Sequence, residues 1–192
     1  MSRLDLVVGP NGAGKSTFVR LILTPAWPIA SFVNADAIAA RKWPDDPEQH
    51  SYEAAAIAAA TRSRLIELSR PLIAETVFSH PSKLDLMDEA ATAGYYVALH
   101  VLMVPEDLAV ARVDYRKASG GHGVPVDKIR ERYRRLWTNV VAAVSKADSA
   151  TFWDNSEHAG PRCVAMFIDS LVVGSPEWPG WAPADLLDRW PA

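Results

Sequence analysis

Apolar and polar positions along the chain switch between two periods, and each switch marks an element. Residues 4–8, LDLVV, are a short apolar run that meets a glycine-rich stretch. This predicts a buried strand turning into a helix that starts near Lys15 and runs to about Leu23, where Pro25 and Pro28 are expected to end it. SFVNAD, residues 31–36, reads as a second short strand with polar residues at its C-terminal end. Residues 47–70 read as a long alanine-rich helix with Pro47 in its first turn, the alanines indicating close helix packing. PLIAET (71–76) predicts a third strand, residues 80–94 a helix stopped by Gly94, and YYVALHVLMV (95–104) a fourth strand.

After Pro105 a helix is expected to about Lys117, then ASGGHGVP interrupts, then a long helix runs from about Val126 to Ala147. ATFWDNS and RCVAMFIDSLVVG read as two final strands that can pair as a hairpin. Strands alternating with helices, several of them near-continuous apolar runs, imply a mainly parallel sheet covered on both faces: an α/β three-layer sandwich. The tail 175–192 is rich in proline and tryptophan, and reads as an irregular segment packing its indoles on the body.

At 192 residues the chain suits one domain, 1–192, and its apolar fraction of 49% can supply a core. The net charge of −3 gives no general electrostatic reason to expect nucleic acid or an anionic membrane as partner, so any basic site must be local. One cysteine, Cys163, excludes an internal disulfide, and its place in the run CVAMFI predicts burial. No stretch of about 20 apolar residues occurs, so a soluble cytoplasmic protein is expected.

Gly9-Pro10-Asn11-Gly12-Ala13-Gly14-Lys15-Ser16, followed by Thr17, matches the phosphate-gripping loop G-x-x-x-x-G-K-[ST] in its proper setting between strand and helix, making the fold that of a P-loop NTPase. Its backbone N–H groups would point at the phosphates, Lys15 would reach the β and γ phosphates of ATP, and Ser16 would hold Mg2+. The Asn-Lys-x-Asp motif expected of a GTPase is missing, and the size suits a small-molecule or nucleotide kinase.

Such an enzyme needs a base, an acceptor pocket and mobile arginines. Asp36, past the second strand, fits a base and equally fits a helix N-cap. Glu75, Thr76, Ser79 and His80 leave the third strand at the same sheet edge; they can bind hydroxyls or magnesium, or serve as turn and capping residues. Residues 112–135 hold eight basic side chains against three acidic ones (8 − 3 = +5), within a chain of net −3. On the last long helix, Ile129, Tyr133, Leu136, Val140 and Val144 form the buried stripe, with Arg130 and Arg132 on its shoulders. With Gly120-Gly121-His122-Gly123 as a flexible connection, this basic segment is expected to be a lid of about 112–135.

GPNGAGKST, NADAIA, ETVFS, RKASGGHGVPVDKIRERYRRL and DNS, in this order, resemble the zeta-toxin family of P-loop kinases in its short form, over roughly residues 4–156. The resemblance implies a kinase using ATP and Mg2+ to phosphorylate a hydroxyl of UDP-N-acetylglucosamine, with a small antitoxin protein as partner. It implies Lys15 and Ser16 at the phosphates and magnesium, Asp36 as catalytic aspartate, and Glu75 and Thr76 near the substrate. It places Arg116 and Arg132 on the phosphates, with Arg112 and Arg135 as rivals, and Asn155 near the adenine. The family's long members carry substrate-binding elements that this length cannot contain. A kinase for an antibiotic, a nucleoside or a nucleic-acid end stays open beside this, as does a nucleotide-dependent regulatory protein. For a nucleic-acid end, a basic aromatic groove would be expected beyond the lid, and none is identifiable.

Overall fold

The computed structural model describes residues 2–118 and 124–191 and, at position 82, the backbone alone. A seven-stranded sheet runs in the order β2-β3-β1-β4-β5-β6-β7. Its strands are β1 (Arg3–Val8), β2 (Ser31–Val33), β3 (Leu72–Thr76), β4 (Tyr96–Met103), β5 (Ser149–Asp154), β6 (Arg162–Ile168) and β7 (Leu171–Val172). Strands β1 to β5 are parallel and the last two antiparallel. The apolar run of β1 supplies both faces of the sheet. Leu4, Leu6 and Val8 join one core, and Val7 the other.

Helices cover both faces. On one lie α1 (Lys15–Phe18), a π-helical turn (Val19–Leu23) and α2 (Thr24–Ala26), together with α6 (Glu106–Ala118), through Phe18, Val19, Leu23 and Ala109. On the other lie α4 (Ser51–Glu67), α5 (Asp85–Thr92) and α7 (Val126–Val144), through Ile66, Met87 and the α7 stripe. This is the expected three-layer α/β arrangement, and in α7 all five stripe residues are buried, joined by Trp137 and Ala143.

Several expectations shift. The first helical run passes through Pro25 to Ala26, because the wider π turn ahead of Pro25 absorbs the missing N–H. The second strand stops at Val33, since Asn34 turns the chain and its side chain accepts a hydrogen bond from the Ala37 N–H at 2.9 Å. That cap starts a helix the hydrophobic pattern did not predict, α3 (Ala35–Lys42). The long alanine helix begins at Ser51, beyond Pro47. The final strands pair antiparallel as expected, but RCVAMFIDSLVVG is itself folded back at Asp169-Ser170, both at positive φ. A two-residue turn with both positions left-handed suits a twisted hairpin. Cys163 is exposed rather than buried, on a strand near the open end of the sheet where a register shift in β5 lies opposite it.

Part of the tail forms α8 (Ala184–Arg189), and Trp178, Trp181 and Trp190 pack against the main core, with Trp178 donating to the Trp190 carbonyl at 2.7 Å. Among the described residues no helix is long and apolar enough to cross a membrane.

Under the first helix lies a buried polar group on β1. Asp5 is 1% exposed; it receives the Arg3 guanidinium through two hydrogen bonds of 2.8 Å and contacts His100 Nε2 at 3.0 Å. Burial pushes the Asp5 carboxyl up, but the hydrogen bonds from His100 and Arg3 outweigh it, leaving its pKa below the usual carboxylate range. A depressed carboxylate contributes stability that is present above its unfolded value of about 3.9 and is lost as pH falls through the folded value. Urea midpoints are therefore expected to drop on acidification below about pH 4. In Asp5→Asn that acid limb should flatten, at a cost of about 1–3 kcal/mol at neutral pH.

Candidate functional site

The loop between β1 and α1 is shaped by glycines that another residue could replace only with strain. Gly12 has φ 77°, and a Cβ there would sit 2.5 Å from the Ala109 carbonyl oxygen of α6. Gly14 has φ 85°, and a Cβ would meet Asn155 Nδ2 at 2.6 Å. Close backing by α6 and the β5 end thus presses the loop into a tight curl at the C-terminal edge of the sheet. Asn155 braces it, donating from Nδ2 to the Ala13 carbonyl at 2.8 Å. Arg112 on α6 secures that brace in turn, donating to the Asn155 carbonyl at 2.9 Å.

Lys15 is buried, and its Nζ donates to the carbonyls of Gly9 at 2.9 Å and Pro10 at 2.8 Å. Desolvation lowers its pKa; Glu75 and Asp36 work against that, and Arg116 adds to it. An anion bound here would restore the favoured charge of the ammonium. Ser16 donates its hydroxyl to the Glu75 carboxylate, 2.9 and 3.0 Å from its two oxygens, and Asn34 Nδ2 donates to Glu75 Oε2 at 2.9 Å. The register that pairs Val7 with Glu75 and Val8 with Thr76 carries this carboxylate to the loop across 59 residues of chain.

Around these groups lies a cavity of about 500 Å³. Among the expected site residues it is lined by Asn11, Gly12, Gly14, Lys15, Ser16 and Thr17 from the loop, by Asp36, and by Glu75 and Thr76 from the third strand. Arg112 and Arg116 close one side. Asp36 stands in the first turn of α3, exposed to the cavity, while Asn34 takes the capping role. Thr76 also holds a turn: its Oγ1 accepts from the Phe78 N–H at 3.3 Å, and Asn139 of α7 donates to the Phe78 carbonyl at 3.0 Å. Phe78 sits buried at φ 63°, a left-handed conformation that these two contacts secure.

The lining does not include Ser79 or Arg132, and Gly9, Pro10, Ala13 and Asn155 shape the loop from behind. On α7, Arg130 pairs with Asp107 at 2.7 Å and Glu106 at 3.2 Å, and Arg135 with Glu131 at 2.7 Å. These acids on α6 and α7 absorb charge that the basic run displayed in the sequence. The Gly120-to-Gly123 connection lies outside the described residues. Asn34 was missed among the site residues, although an Asn directly ahead of a helix is a capping signal in its own right.

The family model for an AAA domain matches residues 4–144, and the chain belongs to that family. Solved structures share the fold at low sequence identity. One is from the PezAT chromosomal toxin–antitoxin system of Streptococcus pneumoniae: TM-score 0.66, 14% identity, covering 86% of this chain and 71% of that one. The AvrRxo1-ORF1:ORF2 complex with ATP gives TM-score 0.70 and 15% identity over 98% of this chain and 70% of that one. Its form with sulphate ions gives 0.73 and 15%, over 99% of this chain and 63% of that one, so the chain spans less than two thirds of that relative. A putative kinase of Chloroflexus aurantiacus gives 0.55 and 16% over 71% of this chain and 79% of that one. No curated protein matches the sequence.

Proposed function

We propose that this chain is an ATP-dependent phosphotransferase that moves the γ-phosphate to a hydroxyl of a small molecule, a nucleotide sugar such as UDP-N-acetylglucosamine, as in zeta toxins. The observation that carries the reading is the convergence of Lys15, Ser16, Asp36, Glu75, Arg112 and Arg116 on one cavity at the sheet's C-terminal edge. Lys15 exchanges its two carbonyl partners for phosphate oxygens, and the loop N–H groups take the rest of that charge. Asp36 accepts the proton of the attacking hydroxyl, which Thr76 and Glu75 help to orient. Arg116 and Arg112 stabilise charge on the transferred group, and the α6–α7 segment, Arg132 included, closes as a lid on a single domain spanning 1–192.

The paired oxygens of Ser16 and Glu75 fit a hard cation, and Mg2+ held there would neutralise charge on the β and γ phosphates. Among the described residues no group of three or more His, Cys, Asp or Glu can hold an ion unaided, so phosphate and water oxygens must supply most of its shell.

Mass spectrometry of UDP-sugars incubated with protein, Mg2+ and ATP tests the reading. A sugar should gain one phosphate with wild type, and Lys15→Ala should slow that gain by about 10²–10³-fold; no gain by any UDP-sugar, with ATP still bound, would remove that substrate class. The likeness to a structure of a toxin–antitoxin system supports an antitoxin protein as partner. Expression of wild type should then arrest growth where Lys15→Ala does not, and equal growth would defeat the toxin reading.

A further inference from the structure

On one face of the sheet the helical cover stops at β5. Strand register sets Val7, His100 and Thr151 side by side on that face, with Leu102 beside Trp153. Phe18 of α1 seats its ring 5.4 Å from the Trp153 ring, and the core beneath α1 and α6 takes no residue of β6 or β7 among the described residues. The opposite face does use these strands, since Val164, Ala165 and Phe167 of β6 lie in the main core. Alternation along the strand then turns Met166 and Ile168 to the uncovered side. Ile168 pairs with Leu171 of β7, and Val173 donates its N–H to the Met166 carbonyl at 2.8 Å, so Leu171 and Val173 join the same face. Across β5, Thr151 and Ser149 stand opposite Met166 and Ile168.

A hairpin with one wet face ordinarily carries polar residues there, whereas a strand buried on both faces is apolar throughout. β6 has the second pattern and the first environment. Met166 and Ile168 are 40% and 48% exposed, Val173 50% and Leu171 73%. Four such neighbours make an apolar patch on the order of 400 Å², comparable to the largest on an ordinary monomer. At two residues, β7 is too short an edge for a partner strand to add to the sheet with much gain, so the demand for cover comes from the face.

Charge and area both suit a second copy as that cover. At a two-fold contact the same patch meets itself, so a charged patch would repel its own image. None of Ser149, Thr151, Met166, Ile168, Leu171 and Val173 is charged; the nearest charges are Asp169 at the hairpin tip and Arg162, which Asp154 and Glu177 already hold. Two patches with their rims reach the roughly 1,000 Å² that a specific protein contact requires.

We propose that Met166, Ile168, Leu171 and Val173 form a two-fold interface between two copies of this chain, their sheets packing face to face about 10 Å apart. The proposal is independent of the phosphotransferase reading. Neither the nucleotide cavity nor a smaller one beside it, lined by Ala55 and Ala59 of α4 and by Glu75, takes a lining residue from β6 or β7. A contact of this size is weak, with a dissociation constant of about 1–100 μM.

Sedimentation velocity on the full chain from about 1 to 300 μM tests it, and a shift from monomer to dimer is expected across that range. Leu171→Glu and Val173→Glu each set a carboxylate against its own image and should weaken the dimer at least about tenfold. Tyr52→Glu, at a position 88% exposed on α4, should leave it intact. Unfolding midpoints and ATP affinity should hold in all three variants. Cys163, the single cysteine, is exposed on β6 opposite Trp153, so a nitroxide placed there should show a dipolar coupling between copies that Leu171→Glu removes. A chain that stays monomeric throughout overturns the proposal. A dimer that survives both Leu171→Glu and Val173→Glu, or one that Tyr52→Glu disrupts equally, overturns it too.

Discussion

Asp36→Ala is expected to lower phosphotransfer by about 10²–10⁴-fold while leaving ATP binding within a few-fold of wild type. Two carboxylates line the nucleotide cavity, and their surroundings separate them. Glu75 already accepts from the Ser16 hydroxyl and from Asn34, so its oxygens serve the loop. Asp36 stands in the first turn of α3 with its side chain exposed to the cavity, where a hydroxyl can approach it. The loop, Lys15 and their backing by Asn155 are untouched by the substitution, which is why binding should survive. Single-turnover phosphate transfer alongside ATP titration separates the two effects. Wild-type turnover in the variant would remove Asp36 as the base; loss of ATP binding together with turnover would make it a residue of the nucleotide grip.

Gly12→Ala is expected to cost about 2–5 kcal/mol of stability and to weaken nucleotide binding with it. Two terms add. A non-glycine residue at φ 77° carries a backbone penalty of about 1–2 kcal/mol. The new methyl would then lie 2.5 Å from the Ala109 carbonyl oxygen, a backbone atom of α6 that cannot swing aside, and such overpacking costs about 1–3 kcal/mol. Gly94→Ala is the matched control, since Gly94 has φ 76° and a Cβ there meets nothing within 4 Å. Denaturant midpoints should fall for both variants and further for Gly12→Ala. Equal losses would show that the contact with α6 relaxes without cost and that only the backbone conformation is demanding.

What could be read from the chain was what neighbouring residues decide among themselves. The phosphate loop, the apolar runs of β1, β3 and β4, the α7 stripe and the packing of the tail tryptophans follow from local spacing, because strand and helix periods express themselves within one or two turns. Even the short α3 had a local signal in the Asn34 cap, although its own residues bury only Ala39 and so show no clear apolar face. Elsewhere the local pattern was ambiguous: nothing in Asp169-Ser170 resembles the glycine-bearing turns that announce a hairpin, and the alanines of α4 look alike whether they pack a helix or line a cavity.

The rest was settled by partners far apart in sequence. Ser16 meets Glu75 because β1 and β3 pair in one register, Arg130 is drawn to Glu106 and Asp107 because α6 lies against α7, and Asn155 reaches the loop from the end of β5. Sheet register and helix packing depend on the whole core closing at once. Which cations line the cavity beside the loop, and where a second cavity is left, were therefore decided by the tertiary structure alone.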